Sequence, residues 1–549
     1  MKKIFNFLTY FILAIVAGNT IYAQKDTLSN DSLTNKNLNW YNLDHSADKI
    51  MGVSADKAYK ELLIDKTSKK IIVAVIDGGV DINHEDLKDH IWVNSGEIAG
   101  NGIDDDLNGY VDDVNGWNFL GNSKGENIKE ENLEYTRMLK VLKPKFKNIK
   151  SENEVDRDKV DDYKTYLACK KKYDEKLKEY QTSKKTIDSY TKKLDDAEKT
   201  IKGFLQKDTL IEDDVKNITS TGTAVQEAQK FLLYAFENNI NRSLLETIRK
   251  ENNLYLDKYL NFEFSPRSIV GDDPENILDK NYGNNDVKGP DAGHGTMVAG
   301  IIGAVRNNGI GINGIADNVE LMVLRVVPEG DERDKDVALA IRYAVENGAN
   351  IINMSFGKAF SPQKQFVDGA IKFAENHNVL LVHAAGNDGL NNDSTEHYPS
   401  KIYNNDSIVK TMINVGASGM YANKDFAAFF SNYGQSVDLF APGVGITSTT
   451  PESKYEDANG TSFSCPVVSG VAALVWSYYP QLTAKQLKDV LLESVAGYKK
   501  IKVNQPNKES GVKKKKVSFS KLCKTGGEVN AYKALIAANK LINKTDKKK

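Results

Sequence analysis

Cysteine is nearly missing from this chain: 549 residues hold only Cys169, Cys465 and Cys523. A set this sparse excludes a disulfide framework as the source of the fold. It leaves free thiols without a special role, or at most one bridge. A charge excess of either sign is missing too. The 73 basic residues nearly cancel the 75 acidic ones, for a formal net charge of −2. That removes the global electrostatic case for a nucleic-acid partner. Past the extreme N-terminus no stretch is apolar enough to span a bilayer. What remains is a chain with 40% hydrophobic residues, enough for a substantial core, and long enough for several domains or one large domain carrying an insertion.

The N-terminus reads as an export signal. Lys2 and Lys3 give a positive start, Leu8 to Ala17 is mostly apolar, and Ile21-Tyr22-Ala23 places a small residue before cleavage at Gln24. The apolar run is shorter than the roughly 20 residues a membrane-spanning helix needs, and no cysteine stands beside it for a lipid anchor. The expectation is a signal at 1–23, a polar leader at 24–37, and an exported protein that is extracellular, on the cell surface or periplasmic.

Ile71 to Ile76 is a continuous, mostly β-branched apolar run that stops at Asp77-Gly78-Gly79. A run apolar at every position suits a strand covered on both faces, as in a parallel sheet between helix layers. The same grammar returns later. Strands are expected at 320–326, 351–354, 379–384 and 412–417, and helices at 336–347, 363–376 and 464–479. Strands alternating with helices indicate an open α/β sheet, whose sites form at the carboxyl ends of strands. Asp77, Ser355 and Asn387 all fall just past such ends.

Between these regions the composition shifts to Lys, Glu, Asp, Asn and Tyr, and glycine becomes rare. From Tyr163 to Phe204 apolar residues recur at three- and four-residue steps, the period of a long amphipathic helix with a narrow seam. A break at 208–222 and a returning helix at 224–259 complete a charged helical insertion, placed at 122–280. It reads as a solvated structural insert or as an arm that binds a substrate or partner.

Three segments carry the chemistry: Asp77-Gly78-Gly79-Val80-Asp81, His294-Gly295-Thr296-Met297-Val298-Ala299-Gly300, and Gly460-Thr461-Ser462-Phe463-Ser464-Cys465-Pro466. A serine hydroxyl needs a base to remove its proton before it is a useful nucleophile. His294 opens an apolar helical stretch. Asp77 ends a buried strand, a rigid place from which to fix an imidazole tautomer. Ser462 precedes a helix, whose N-terminal N–H groups favour developing negative charge. Taken singly, these residues also read as a strand-end carboxylate, a structural histidine and a helix-capping serine. His84 is a second candidate for the base.

Together, and in the order Asp, His, Ser, the segments resemble the subtilisin-like serine proteases, the subtilase family, over about 38–121 and 281–541. The roles that follow are those of the family, for which this chain order is well known. The resemblance implies a three-layer α/β fold with a mostly parallel central sheet, the inserted helical region lying outside it. It implies a serine endopeptidase acting through Asp77, His294 and Ser462 by way of an acyl-enzyme. Ala384-Ala385-Gly386-Asn387 resembles the oxyanion-hole segment, with the Asn387 amide as donor. Asn353-Met354-Ser355-Phe356-Gly357 resembles the wall along which substrate pairs as an added strand, with Gly357 leaving room for the side chain before the scissile bond. Ala385 and Gly386 border that pocket. Tyr398-Pro399 resembles its floor, where His397 stands in place of the glycine many relatives have. The end of the domain is placed at Leu541, with a Lys-rich tail at 542–549.

Asp104, Asp106 and Asn108, with Gly109 sixth in the run and a carbonyl from Tyr110, make the start of an EF-hand-type loop. Asp112 or Asp113 would complete it, although Asn115 stands where an EF-hand has glutamate. A structural Ca²⁺ is therefore expected. Protein or peptide substrates are the expected partners, with no nucleic acid. The competing reading is a surface binding or scaffold protein acting through the insertion. A lipase or esterase is disfavoured, because no G-x-S-x-G elbow surrounds Ser462.

Overall fold

The computed structural model describes residues 38–546 except 510 and 513. The signal and leader expected at 1–37 and the last residues of the Lys-rich tail lie outside them. The described chain divides into two compact units. One runs to Lys129 and resumes at Pro266; the other is Glu130–Ser265.

The first unit is built on a nine-stranded sheet. The strands of this unit are β1 Ile71–Asp77, β2 Gly116–Asn118, β3 Val319–Arg325, β4 Ile351–Met354, β5 Leu380–Ala384, β6 Met412–Ser418, β7 Leu439–Pro442, β8 Val444–Thr450, β9 Lys454–Asn459, β10 Ala496–Gly497, β11 Lys502–Asn504, β12 Lys516–Ser518 and β13 Gly527–Glu528. The sheet order is β10-β13-β7-β6-β5-β4-β1-β3-β2. Neighbours are parallel except β10 with β13. The hairpins β8–β9 and β11–β12 stand apart from it.

The run that is apolar at every position is explained by two cores. Ile71, Val73 and Val75 of β1 face one, with the helices Gly293–Gly303 and Thr461–Tyr478. Ala74 and Ile76 face the other, with the helices Asp334–Glu346 and Lys364–Asn376. Each fully buried Val or Ile of this kind contributes about 1.5–3 kcal/mol. This is the α/β three-layer arrangement with a mostly parallel sheet that the sequence implied. β1 has β3 on one side and β4 on the other, so the chain switches direction across the sheet at β1. The carboxyl end of such a strand opens a crevice, and Asp77 is its last residue.

The second unit is a helical bundle around a helix of 46 residues, Val160–Leu205, about 70 Å long at 1.5 Å per residue. Its buried stripe includes Tyr163, Tyr166, Tyr180, Ile187, Tyr190, Leu194 and Ile201. Tyr180 stacks on Tyr255 at 3.8 Å between ring centroids. Two expectations change. The returning helix is not continuous: Thr223–Glu237 and Arg242–Leu254 are separated where Asn239 takes a positive φ of 54° and the Asn241 side chain caps Leu244 N at 2.9 Å. Asparagine suits both positions. The unit is also narrower than 122–280. Ile128 and Val270 belong to the core of the first unit, and Arg267 is buried there against Asp272 and Asp336. At the C-terminus, the helix Ala531–Asp546 runs past Leu541. Cys169, Cys465 and Cys523 are buried free thiols.

Candidate active site

Asp77 is buried at the end of β1, where Gly78 N donates to its Oδ1 at 2.7 Å. The turn beyond it is held by buried Arg325, whose Nε donates to Gly78 O at 2.8 Å. His294 lies in the first turn of the helix Gly293–Gly303, with Nδ1 at 2.8 and 3.0 Å from the two Asp77 oxygens. Glycine at 295 is required by contact: a Cβ there would come within 2.2 Å of Gly79 O and 3.1 Å of Asp77 Cβ. A larger residue would push the imidazole off its carboxylate. Burial lowers the pKa of His294. The Asp77 charge and hydrogen bond, with a further push from Asp291, outweigh that and leave it above the ordinary histidine value.

Ser462 sits in the first turn of the helix Thr461–Tyr478, which begins three residues before the expected start at 464. The imidazole of His294 lies beside Phe463, the residue after the serine, at 5.3 Å between ring centroids. No hydrogen bond joins the Ser462 hydroxyl to His294 among the described residues. Ser355 Oγ, itself held by Asn353 Nδ2 at 2.9 Å, donates to Ser462 O at 2.8 Å and braces this turn from below.

Asn387 follows β5. Its Oδ1 accepts from Thr461 N at 2.8 Å and Thr461 Oγ1 at 2.9 Å. With the carbonyl side of the amide committed, Nδ2 is the end left to donate. At the helix terminus Thr461 N is taken by Asn387, and Phe463 N donates to Gly460 O at 3.1 Å. The Ser462 N–H remains as a donor beside the amide, as helix geometry allows.

The substrate wall is only partly as expected. Ser355 turns inward to the brace just described. The carbonyl of Phe356 faces His383 Nε2 at 2.9 Å. The space beside Gly357 is not open: a Cβ there would lie 2.5 Å from His397 Nε2. A Cβ on Gly386, the opposite flank after Ala385, would lie 3.1 Å from His397 Cε1. His397 stacks on buried His383, with centroids 5.2 Å apart. Burial pushes the pKa of His383 down to about 3, so this ring is neutral. The backbones of Lys358 and Tyr398 exchange hydrogen bonds of 3.0 and 2.9 Å, which fixes His397 in place. His84 is fully buried, accepts Asp86 N on Nδ1 at 3.1 Å and meets Lys454 O with Nε2 at 3.2 Å. Both ring nitrogens are committed to loop structure, which leaves His294 as the candidate base.

The acidic loop gathers a different set from the EF-hand reading. Glu97, Asp106 and Asp113 bring carboxylate oxygens within 4.8 Å of one another. Asp113 is buried, with Asn94 Nδ2 at 2.8 Å and Asn108 Nδ2 at 3.0 Å. Asp104 instead accepts Asn108 N at 3.0 Å and Gly109 N at 2.8 Å. Asp112 gathers the amides of Gly100, Asn101 and Gly102 at 2.7–3.1 Å. Tyr110 packs its ring on Trp117 and Tyr343. Glu97 escaped the motif because it precedes the loop; its position before an Asp-rich turn was the only signal. Burial, reinforced by Asp113 and Asp106, holds the Glu97 carboxyl above its usual pKa.

A family model described as "Subtilase family" matches residues 68–518. The chain belongs to the subtilase family. Subtilisin DY of Bacillus licheniformis is 37% identical over 203 residues, covering 36% of this chain and 69% of that protein. Alkaline elastase YaB of Bacillus sp. (strain YaB) is 38% identical over 200 residues, covering 36% of this chain and 49% of that protein. M-protease of Shouchella clausii is 37% identical over 206 residues, 37% of this chain and 50% of that one. This subtilase therefore matches about half the length of the last two relatives. A solved protease from Pseudoalteromonas arctica aligns with a TM-score of 0.38 at 28% identity, over 46% of this chain and 78% of that one.

Proposed function

We propose that this subtilase is an exported serine endopeptidase. The observation that carries the reading is the contact of both Asp77 oxygens with His294 Nδ1, together with the packing of the same imidazole beside Phe463, the residue after Ser462. An acceptor at Nδ1 leaves the proton there and keeps Nε2 basic. Nε2 then takes the Ser462 proton as Oγ attacks the peptide carbonyl. The oxyanion is received by Asn387 Nδ2 and Ser462 N–H. The imidazolium, stabilised by Asp77, returns the proton to the leaving amine. Water then hydrolyses the acyl-enzyme by the same route.

His397 narrows the pocket that would take the side chain before the scissile bond, so small side chains are favoured there. Glu97, Asp106 and Asp113 form an all-oxygen donor set suited to a hard cation such as Ca²⁺. That ion would relieve the repulsion among the three carboxylates and hold the loop closed; it has no part in the proton transfers. The helical unit is a separate surface on which a partner can bind. No described helix is long and apolar enough to cross a membrane.

The reading is tested on a denatured protein substrate. Wild type should degrade it, and Ser462→Ala should reduce the rate by about 10⁶-fold, the loss known for the nucleophile of a subtilisin. Equal rates for the two proteins would refute it.

A further inference from the structure

A second cavity borders the entry to the Ser462 helix, and nothing in the mechanism above uses it. Its volume is about 540 Å³, within the range of ligand sites. Phe429, Phe430, Val444, Asn459, Lys508 and Lys514 are among the residues that line it. Asn459 leads through Gly460 and Thr461 directly to the nucleophile. Phe429 is 46% exposed.

Chemistry decides which half of a substrate would pass here. The leaving amine must be met by the imidazole that protonates it, so the leaving-group chain departs on the His294 side. Val444 and Asn459 are paired at the open end of the β8–β9 hairpin. That hairpin is fastened to the His294 helix by Ser448 Oγ donating to Met297 O and Thr449 Oγ1 to Thr296 O, both at 2.7 Å. The acyl half has its own walls on the other flank, at Gly357, Gly386 and His397.

The charge lining the cavity sets the preference. Lys508 and Lys514 lie in the connection between β11 and β12, and β11 is anchored. Val503 is fully buried, and Asn504 N donates to Lys424 O at 2.7 Å. The Lys514 ammonium stands 5.9 Å over the Phe429 ring, and no ion pair holds it among the described residues. The one acid lining the cavity, Asp425, accepts Asn504 Nδ2 at 2.8 Å.

The cavity thus lies on the side where the chain after the scissile bond departs, and we propose that Lys508 and Lys514 act there as specificity residues, selecting a carboxylate over an apolar contact with Phe429. The inference rests on the peptidase reading. The carboxylate has two sources, an acidic side chain or the free C-terminus of a substrate cut close to its end.

The test uses internally quenched peptides that differ only at the two positions after the cleaved bond, carrying Asp, Lys or Ala. A second set ends there in a free carboxylate or an amide. Wild type should cleave the Asp over the Lys peptide by about tenfold or more in kcat/KM, and the ratio should shrink with salt. In Lys508→Glu/Lys514→Glu it should fall to one or invert, with Lys508→Gln/Lys514→Gln between. A preference for the free carboxylate over the amide, alone, would assign the C-terminus as the source. The same ratio in wild type and both variants, or a wild-type preference for Lys, would overturn the proposal. Each protein is also labelled with a fluorophosphonate. Labelling without the charge preference would sink the cavity assignment alone; no labelling of wild type would sink the peptidase reading with it.

Discussion

At the scale of single residues, the proposed chemistry draws on polar groups that have one atom committed and one left over. Asn387 spends its carbonyl on Thr461 and keeps its amide. His294 turns Nδ1 to Asp77 and keeps Nε2. Because the Asp77 charge and hydrogen bond outweigh burial, His294 titrates above the ordinary histidine value. A base must be neutral to accept a proton, so the acid limb of kcat/KM should lie above about pH 6.5. Asp77→Asn removes the raising charge. It should lower kcat by about 10⁴-fold, the size known in serine proteases, and move the residual acid limb to lower pH. Asn387→Ala should cost about 10²–10³-fold in kcat, as loss of the oxyanion donor does in a subtilisin. Steady-state kinetics across pH check both. An acid limb unmoved in Asp77→Asn would count against the pairing.

At the scale of elements, much of this was legible beforehand. The β-branched run 71–76 could only be a strand covered on both faces, and the alternation of its side chains between two cores shows why. The site segments lay past strand ends and at helix starts, which is where the structure keeps them. Other elements carried no periodic signal. β8 and β9 are rich in Thr, Ser and acids, and β10 and β13 are two residues each. Gly357 was read as leaving space and His397 as standing at the floor of the same pocket, but local sequence did not settle that the imidazole fills that space, since the two lie forty positions apart in the chain. Glu97 was missed for the same reason: three-dimensional grouping overrode the motif spacing. The β13 strand also carries a linked prediction. Glu528 is fully buried, with the Ser418 hydroxyl donating to Oε1 and no partner at Oε2 among the described residues. Burial raises its pKa well above the usual glutamate value, against the smaller lowering effect of Ser418. A carboxyl raised on folding costs no stability below its unfolded pKa, near 4.3. The cost grows as pH rises from there toward the folded pKa. Glu528→Gln should therefore be neutral at pH 4 and stabilising by about 1–3 kcal/mol at pH 8. Urea unfolding at the two pH values checks this; an equal effect at both would contradict it.

At the scale of the whole molecule, the cores of the catalytic unit draw only on residues up to Ile128 and from Val270 onward. Its own weak point is the carboxylate group at 97, 106 and 113. If a cation relieves that repulsion, a chelator should lower Tm by several degrees, since binding to the folded form alone stabilises by mass action. Glu97→Gln/Asp106→Asn should start lower and lose the chelator response. A wild-type Tm indifferent to chelator and to added Ca²⁺ would remove the metal from the account.

The central claim is that Asp77, His294 and Ser462 act as one device. Mass spectrometry after fluorophosphonate treatment tests it most directly. A single adduct on the peptide bearing Ser462 is expected in the folded wild type, with none in Ser462→Ala and labelling slowed by at least about 10³-fold in His294→Ala. An unmodified wild-type serine, or one labelled just as fast without the imidazole, would contradict it.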